Sequence, residues 1–292
     1  MKRVVLFLLT NIAMMITLTI VAHIACALLG TTVADLIGDE WAHLAIFAFV
    51  FGMLGATISL LISKPMAKFA CGAVVIDGTE GEAERWLVET VADLARRANI
   101  KMPEVAIYEG AANAFATGAF KNSALVAVST DIMRQMTKEE LRAVLGHEIS
   151  HVANGDMVTL TLVQGILNAF VIFFSRMLAR VLSSNGENRR SSGGMYFMLV
   201  IVFDIVLGIL ASLVVFAYSR RREFAADAGS ARLLGSPSSM IAALQRLGNL
   251  QPGVLPDSLK AMGIAEGKKT SLFSTHPSLD DRIDALRNFH QQ

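Results

Sequence analysis

The sequence predicts a mostly α-helical membrane protein that carries an α+β domain on one side of the bilayer. Three observations predict this. Hydrophobic residues make up 53% of the chain and charged residues 17%, with a mean hydropathy of +0.51, too apolar for an ordinary soluble domain. The apolar residues gather into four runs: Val4–Leu29, Leu44–Ile62, Met157–Ser175 and Ser191–Ser219, the last broken only by Asp204. Each run can cross a hydrocarbon core about 30 Å thick, which takes roughly 20 helical residues. Between and beyond the runs lie two charged segments, 63–156 and 220–292, together long enough for one hydrophobic core.

The first two runs read as membrane helices, because a helix satisfies its own backbone in lipid. Lys2 and Arg3 precede the first run and Ala25-Cys26-Ala27 resembles a cleavage site, as in a signal peptide. The apolar stretch is far longer than a signal core and a second span follows closely, so a retained signal anchor is the expectation. Residues 1–62 are thus two membrane helices and a short outer loop. The outer loop, Gly30–Glu40, holds Asp35, Asp39 and Glu40 and no Lys or Arg. Lys64 and Lys68 follow span two, and Arg220, Arg221 and Arg222 follow span four. The positive-inside rule then places 63–156 and 220–292 in the cytoplasm, with Trp41 as an interfacial anchor on the outer side.

The last hairpin, 157–219, is less lipid-like. Gln164, Asn168 and Asp204 lie within it, and Arg176, Arg180, Arg189 and Arg190 flank a loop that this topology puts outside. Asp204 can pair with a basic group such as Arg176, or serve a helix–helix contact. Cys26 and Cys71 have neither CxxC spacing nor an evident disulfide mate and read as inert thiols. A net charge of +1 argues against nucleic acid as a partner.

Within 63–156, Glu82–Ala98 reads as a helix with Leu87, Val91, Leu94 and Ala95 along one side. Glu104–Tyr108 and Ala124–Thr130 are rich in Val and Ile and read as strands, with a third short run at Asn113–Ala119 between them. Thr137 and Glu140 form a capping box that opens another helix, and Asn154-Gly155 is its stop. Beyond Arg222, Ser236-Pro237 opens a helix. A loop with Gly263, Gly267, Lys268 and Lys269 follows, and a last helix runs from about Ser278 to Phe289.

The chemistry lies on the helix opened by Thr137. His147-Glu148-Ile149-Ser150-His151 reads H-E-x-x-H. Residues four apart share a helical face, so both imidazoles can point at one metal ion. Glu148 can sit beside a water on that metal, which is the minimal equipment for zinc-assisted peptide hydrolysis. A catalytic zinc usually has three protein ligands and an open position. Glu223 is the best third ligand, because it lies just beyond span four on the face where His151 lies just before span three. Asp227, four residues on, shares its helical face and can accept a hydrogen bond from a ligating histidine. The remaining reading of both acids is solvated surface charge. His276, before the last helix, can donate to a developing oxyanion or simply open that helix. His23, His43 and His290 have no partner pattern and read as structural. About five residues separate His151 from span three, less than about 8 Å along a helix, so a metal there would sit close to the membrane surface.

The stretch from His147 to Asp156, with Glu223-Phe224-Ala225-Ala226-Asp227 beyond a hydrophobic hairpin, resembles the HtpX family. These are bacterial membrane-bound zinc metalloproteases of the gluzincin type, related to the eukaryotic membrane proteases that process prenylated proteins. Asn113-Ala114-Phe115-Ala116-Thr117-Gly118, Val126-Ala127-Val128-Ser129-Thr130 and His276-Pro277 with Arg282-Ile283 resemble it too, so the match covers nearly the whole chain. The resemblance implies a zincin-like cytoplasmic domain on the inner membrane. It implies a stress-linked endopeptidase that clears misfolded or damaged membrane proteins, beside an AAA-type membrane protease. It assigns one Zn2+ to His147, His151 and Glu223 and catalysis to Glu148. It makes Asn113, Ala114, Phe115 and Ala116 part of an edge strand that binds substrate backbone by strand addition, which suits broad specificity. Ala225 stands where relatives often have His, at a position that is not a ligand in the pattern. Two alternatives stand beside this reading: a processing peptidase for lipidated C-terminal peptides, and a non-catalytic scaffold with a vestigial site. Four spans are few for the former, and every expected ligand position is filled, which disfavours the latter.

Overall fold

The computed structural model describes residues 41–184, 192–249 and 274–289. The expected span Val4–Leu29, the Gly30–Glu40 loop, Arg189, Arg190, His23, His290 and the loop of Gly263, Gly267, Lys268 and Lys269 lie outside them. In chain order the elements are α1 (Trp41–Cys71), β1 (Val74–Ile76), α2 (Glu82–Arg97), β2 (Glu104–Tyr108), β3 (Ala114–Thr117), a 3-10 turn (Lys121–Ser123), β4 (Leu125–Ser129), α3 (Thr130–Gln135), α4 (Lys138–Asn154), α5 (Asp156–Ser184), α6 (Ser192–Leu234), α7 (Ser238–Asn249) and α8 (Leu279–Arg287). The chain is therefore mostly helical with a small mixed sheet.

Among the described residues, three helices are long and apolar enough to cross a membrane: His43–Cys71, Asp156–Ser183 and Gly194–Leu234. The first of the four expected spans falls outside the described residues. The last runs further than expected. Its helix does not end near Ser219 but continues through Arg220, Arg221 and Arg222 to Leu234, so Glu223 and Asp227 lie on the same rod as the apolar run.

The described residues divide into two compact units, one within Met1–Ser59 and Thr161–Val215, the other within Leu60–Leu160 and Phe216–Gln292. In the first, α1 meets α5 through small residues. A Cβ on Gly52 would lie 2.5 Å from the Ala169 backbone nitrogen, and one on Gly165 would lie 2.6 Å from Met53 Sδ. Ala48 and Ala56, one turn either side of Gly52, are buried. Small residues at four-residue spacing let apolar helices approach closely where no hydrophobic effect drives them together. Asp204 lies 3.8 Å from Arg176, the pairing that the sequence suggested.

The second unit holds the sheet, in the order β1-β2-β4-β3. β2 and β4 are parallel, while β1 on β2 and β3 on β4 are antiparallel. Leu87, Val91, Leu94 and Ala95 of α2, the buried side of α4 (Leu141, Val144, Leu145, Ile149) and Leu244 of α7 form one core with the sheet. Thr137 caps α4 with both arms of the capping box in place, and Gly155 ends it in a left-handed turn at φ 71°. That conformation is costly for a residue with a Cβ. The sequence reading missed β1, whose three residues are too few for periodicity, and α3, which follows β4 without a break.

Candidate metal centre

The site forms where α4 and α6 approach closely. A Cβ on Gly146 would lie 2.9 Å from Ser230 Oγ, and one on Gly229 would lie 2.4 Å from Ser150 Oγ. Ser230 Oγ donates to the Ala143 carbonyl at 2.7 Å, and Ser150 Oγ to the Gly146 carbonyl at 2.7 Å. Glycine and serine at this crossing let a carboxylate on one helix reach imidazoles on the other.

His147 and His151 turn their Nε2 atoms towards each other at 3.0 Å. Glu223 Oε1 lies 3.3 Å from His151 Nε2, and Oε2 lies 3.5 Å from His147 Nε2. These three residues can hold a metal ion, with their ligand atoms all within 4.8 Å of one another. A tetrahedral ion with bonds near 2.0–2.1 Å needs ligand–ligand edges of about 3.3 Å; the two imidazole nitrogens lie 3.0 Å apart, and each has one of the two Glu223 oxygens within 3.5 Å. Two nitrogens and a carboxylate oxygen are also the donor set that zinc accepts.

Each imidazole is held from behind. His147 Nδ1 bonds Asp227 Oδ1 at 2.9 Å, and Asp227 in turn receives Arg282 Nε at 2.8 Å and Nη2 at 2.7 Å, a two-pronged pair. His151 Nδ1 bonds Asp156 Oδ2 at 2.5 Å, and Asp156 is ion-paired with Arg222. With Nδ1–H donating, Nε2 of each ring keeps its lone pair for the metal. Burial works against protonated His147, but its bonds to Asp227 and Glu223 outweigh that and raise its pKa. Burial is likewise outweighed at His151, chiefly by Glu223.

Glu148 is buried and stands outside the triangle. Burial pushes its pKa up, while the Ala116 backbone N–H, which donates to the carboxylate, works the other way. That bond shows which way β3 faces. β3 is an edge strand of the sheet. Ser129 N–H donates to the Asn113 carbonyl at 2.9 Å. Since pairing groups alternate along an antiparallel strand, Phe115 and Thr117 bond β4 while Ala114 and Ala116 turn their backbone groups outward. Asn113 is pinned just before the strand: its N–H donates to Ser129 Oγ at 2.9 Å, and Tyr108 OH donates to its carbonyl at 3.3 Å.

A model of Peptidase family M48 matches residues 82–290, the span that contains all of these groups. The chain belongs to the M48 peptidases. A protease HtpX homolog of Verminephrobacter eiseniae is 54% identical over 297 residues, covering 100% of both chains. One of Paracidovorax citrulli is 54% identical, covering 99% of both. The crystal structure of S. mikatae Ste24p superposes with a TM-score of 0.60 at 19% identity, over 97% of this chain and 67% of that one, a likeness of fold. This M48 chain is thus an HtpX-like membrane metallopeptidase, a hydrolase with three long apolar helices among the described residues and a candidate metal-binding group.

In this M48 peptidase the structure brings together His147, His151, Glu223, Asp227 and Glu148, with Ala116 at the last. It brings His276 to the same place by another route than the one expected: His276 Nδ1 lies 2.8 Å from Glu223 Oε2, so its neighbour is the candidate ligand carboxylate. Asn113, Ala114 and Phe115 lie at or beside the edge strand. Three residues of the M48 site were given no role from sequence. Arg282 is fully buried, and besides Asp227 it places Nη1 3.4 Å from Glu223 Oε2. Asp156 and Arg222 support His151. The clue for Asp156 was the left-handed glycine before it, which turns the chain back on the helix end. Arg282 had no local signal, because it arrives from more than 50 residues beyond Asp227.

Proposed function

We propose that this M48 chain is a zinc-dependent endopeptidase (one Zn2+ per chain) of the bacterial inner membrane. Its site faces the cytoplasm and it hydrolyses misfolded or damaged membrane proteins. The observation that carries the reading is the triangle of His147, His151 and Glu223, with Glu148 beside it and the outward edge of β3 against Glu148. Zinc, when bound, supplies a Lewis acid that acidifies water and polarises the scissile carbonyl. Glu148 takes the proton of the attacking water and returns one to the leaving amine. Its raised pKa suits that exchange, since a base near the working pH both accepts and releases readily. The outward N–H and C=O groups of Ala114 and Ala116 hold an extended substrate by strand addition, with Asn113 and Phe115 fixing the strand. His276 donates to the developing oxyanion. Four spans, with Val4–Leu29 as the first, and the Lys and Arg excess at Lys64, Lys68 and Arg220–Arg222 support the cytoplasmic placement. An AAA-type membrane protease is the proposed companion.

The test is zinc content and casein cleavage, side by side, on detergent-purified protein and its Glu148→Gln variant, stripped with chelator and then given zinc. Zinc in both, with cleavage lost only in the variant, is expected. Cleavage by the variant at a rate near wild type would refute Glu148 as the base.

A further inference from the structure

We infer that Asp156 and Arg222 are positioning residues for His151, a second orienting relay built entirely from the two ends of the apolar hairpin. The inference rests on the reading that a metal is held by His147, His151 and Glu223. The two imidazoles are supported in the same way: His147 by Asp227 and Arg282, His151 by Asp156 and Arg222. In each relay the imidazole donates Nδ1–H to a buried carboxylate, and a guanidinium neutralises that carboxylate. A carboxylate behind a ligating imidazole fixes its tautomer and raises its basicity, so its loss commonly weakens metal binding 10- to 100-fold.

The relays differ in where they come from. Asp227 and Arg282 belong to the later part of α6 and to α8. Asp156 is the first residue of α5, one residue after the glycine that ends α4, and Arg222 lies on α6 directly before Glu223. Arg222 Nη1 also donates to Tyr218 OH at 3.0 Å, one turn earlier on α6. The chain of contacts therefore runs His151–Asp156–Arg222–Tyr218, from a candidate ligand to the end of the apolar run. Asp156 is buried and Arg222 half-buried, so neither is a solvated surface charge. Arg221, its neighbour, is exposed. The pairing of the hairpin's two helix ends thus sets the orientation of His151.

The test is zinc affinity, by competition with a chromophoric chelator, on the full chain in detergent, together with the absorption spectrum of the cobalt-loaded protein. Asp156→Ala and Arg222→Met are expected to weaken zinc binding on the order of 10-fold or more and to change the cobalt spectrum. Asp156→Glu is expected to recover part of the loss. Arg221→Met removes the same charge from the same turn and is expected to match wild type in both readouts. His151→Ala must lose tight binding for the underlying reading to stand. If it does, and Asp156→Ala and Arg222→Met bind zinc within twofold of wild type with unaltered cobalt spectra, the relay is refuted alone. If His151→Ala itself keeps tight binding, the metal reading falls and the relay with it.

Discussion

Arg282 shows how much of the site's electrostatics rests on single side chains. Its guanidinium is fully buried between Asp227 and Glu223, and the two carboxylates hold its pKa above the ordinary arginine range against the effect of burial. Removing one partner of a buried pair leaves the other charged and unsolvated, at a cost of about 3–5 kcal/mol. Arg282→Met is therefore expected to lower unfolding stability by that amount in denaturant titration in detergent. The Asp227→Asn, Arg282→Met double variant should lose less than the single. The two candidate ligand histidines predict a pH dependence. Their pKa values are raised in the metal-free protein. The protonated rings thus stabilise the metal-free fold below the ordinary imidazole range, and that contribution is lost as pH rises through the raised values. Metal takes the neutral ring, so uptake expels protons and apparent affinity falls as pH drops from about 8 towards 5. Calorimetric zinc titrations in buffers of different ionisation heat read the protons released. Observed heats that are the same in every buffer, before any correction, would mean that no protons are released and would contradict the sign.

At the scale of elements, the crossing of α4 and α6 sets the ligand geometry. Gly229 lies where any Cβ would overlap Ser150, on the turn after Asp227. Gly229→Val must push the helices apart, and overpacking of this kind costs about 1–3 kcal/mol. Because Glu223 rides on the displaced helix, the same variant is expected to weaken zinc binding as well as stability. Gly194→Ala, on the same helix in open space, is expected to change neither. Thermal unfolding and chelator competition on the pair separate a crossing effect from a general glycine effect. The α4 capping box was legible from Thr137 and Glu140 alone, since both arms are local backbone bonds. β1 was not, because three residues acquire strand character only by pairing with Ile107, Ala106 and Val105 of β2.

For the whole molecule, the expected consequence of metal removal follows from linkage. A ligand that binds only the folded state at 100 times its Kd stabilises it by about 2.7 kcal/mol. Chelator should therefore lower the unfolding temperature, and zinc should restore it. The Glu148→Gln variant should show the same shift, since Glu148 stands outside the ligand triangle, and His151→Ala should show none. A shift in His151→Ala as large as in wild type would place the metal elsewhere. The substrate proposal belongs to this scale too. His151 lies five residues before the first residue of α5, so a juxtamembrane loop is expected to be cut faster than the same sequence on a far-projecting soluble domain. Equal rates in reconstituted vesicles would remove that part of the proposal.

What the sequence determined by itself was whatever depends on neighbours along the chain. Long apolar runs mark the helices. Two histidines four apart must share a face, and caps, turns and the strands β2 and β4 follow from local pattern. The candidate third ligand could be reasoned to Glu223 only because the flanking apolar runs constrain where the chain returns. What only the tertiary structure decided was what arrives from far away: Arg282 at Asp227, His276 at Glu223, Arg222 at Asp156, and the Ala116 N–H at Glu148. Buried charges of this kind are placed by desolvation and pairing in three dimensions, and nothing in the spacing of residues along the chain encodes which distant partner will neutralise them.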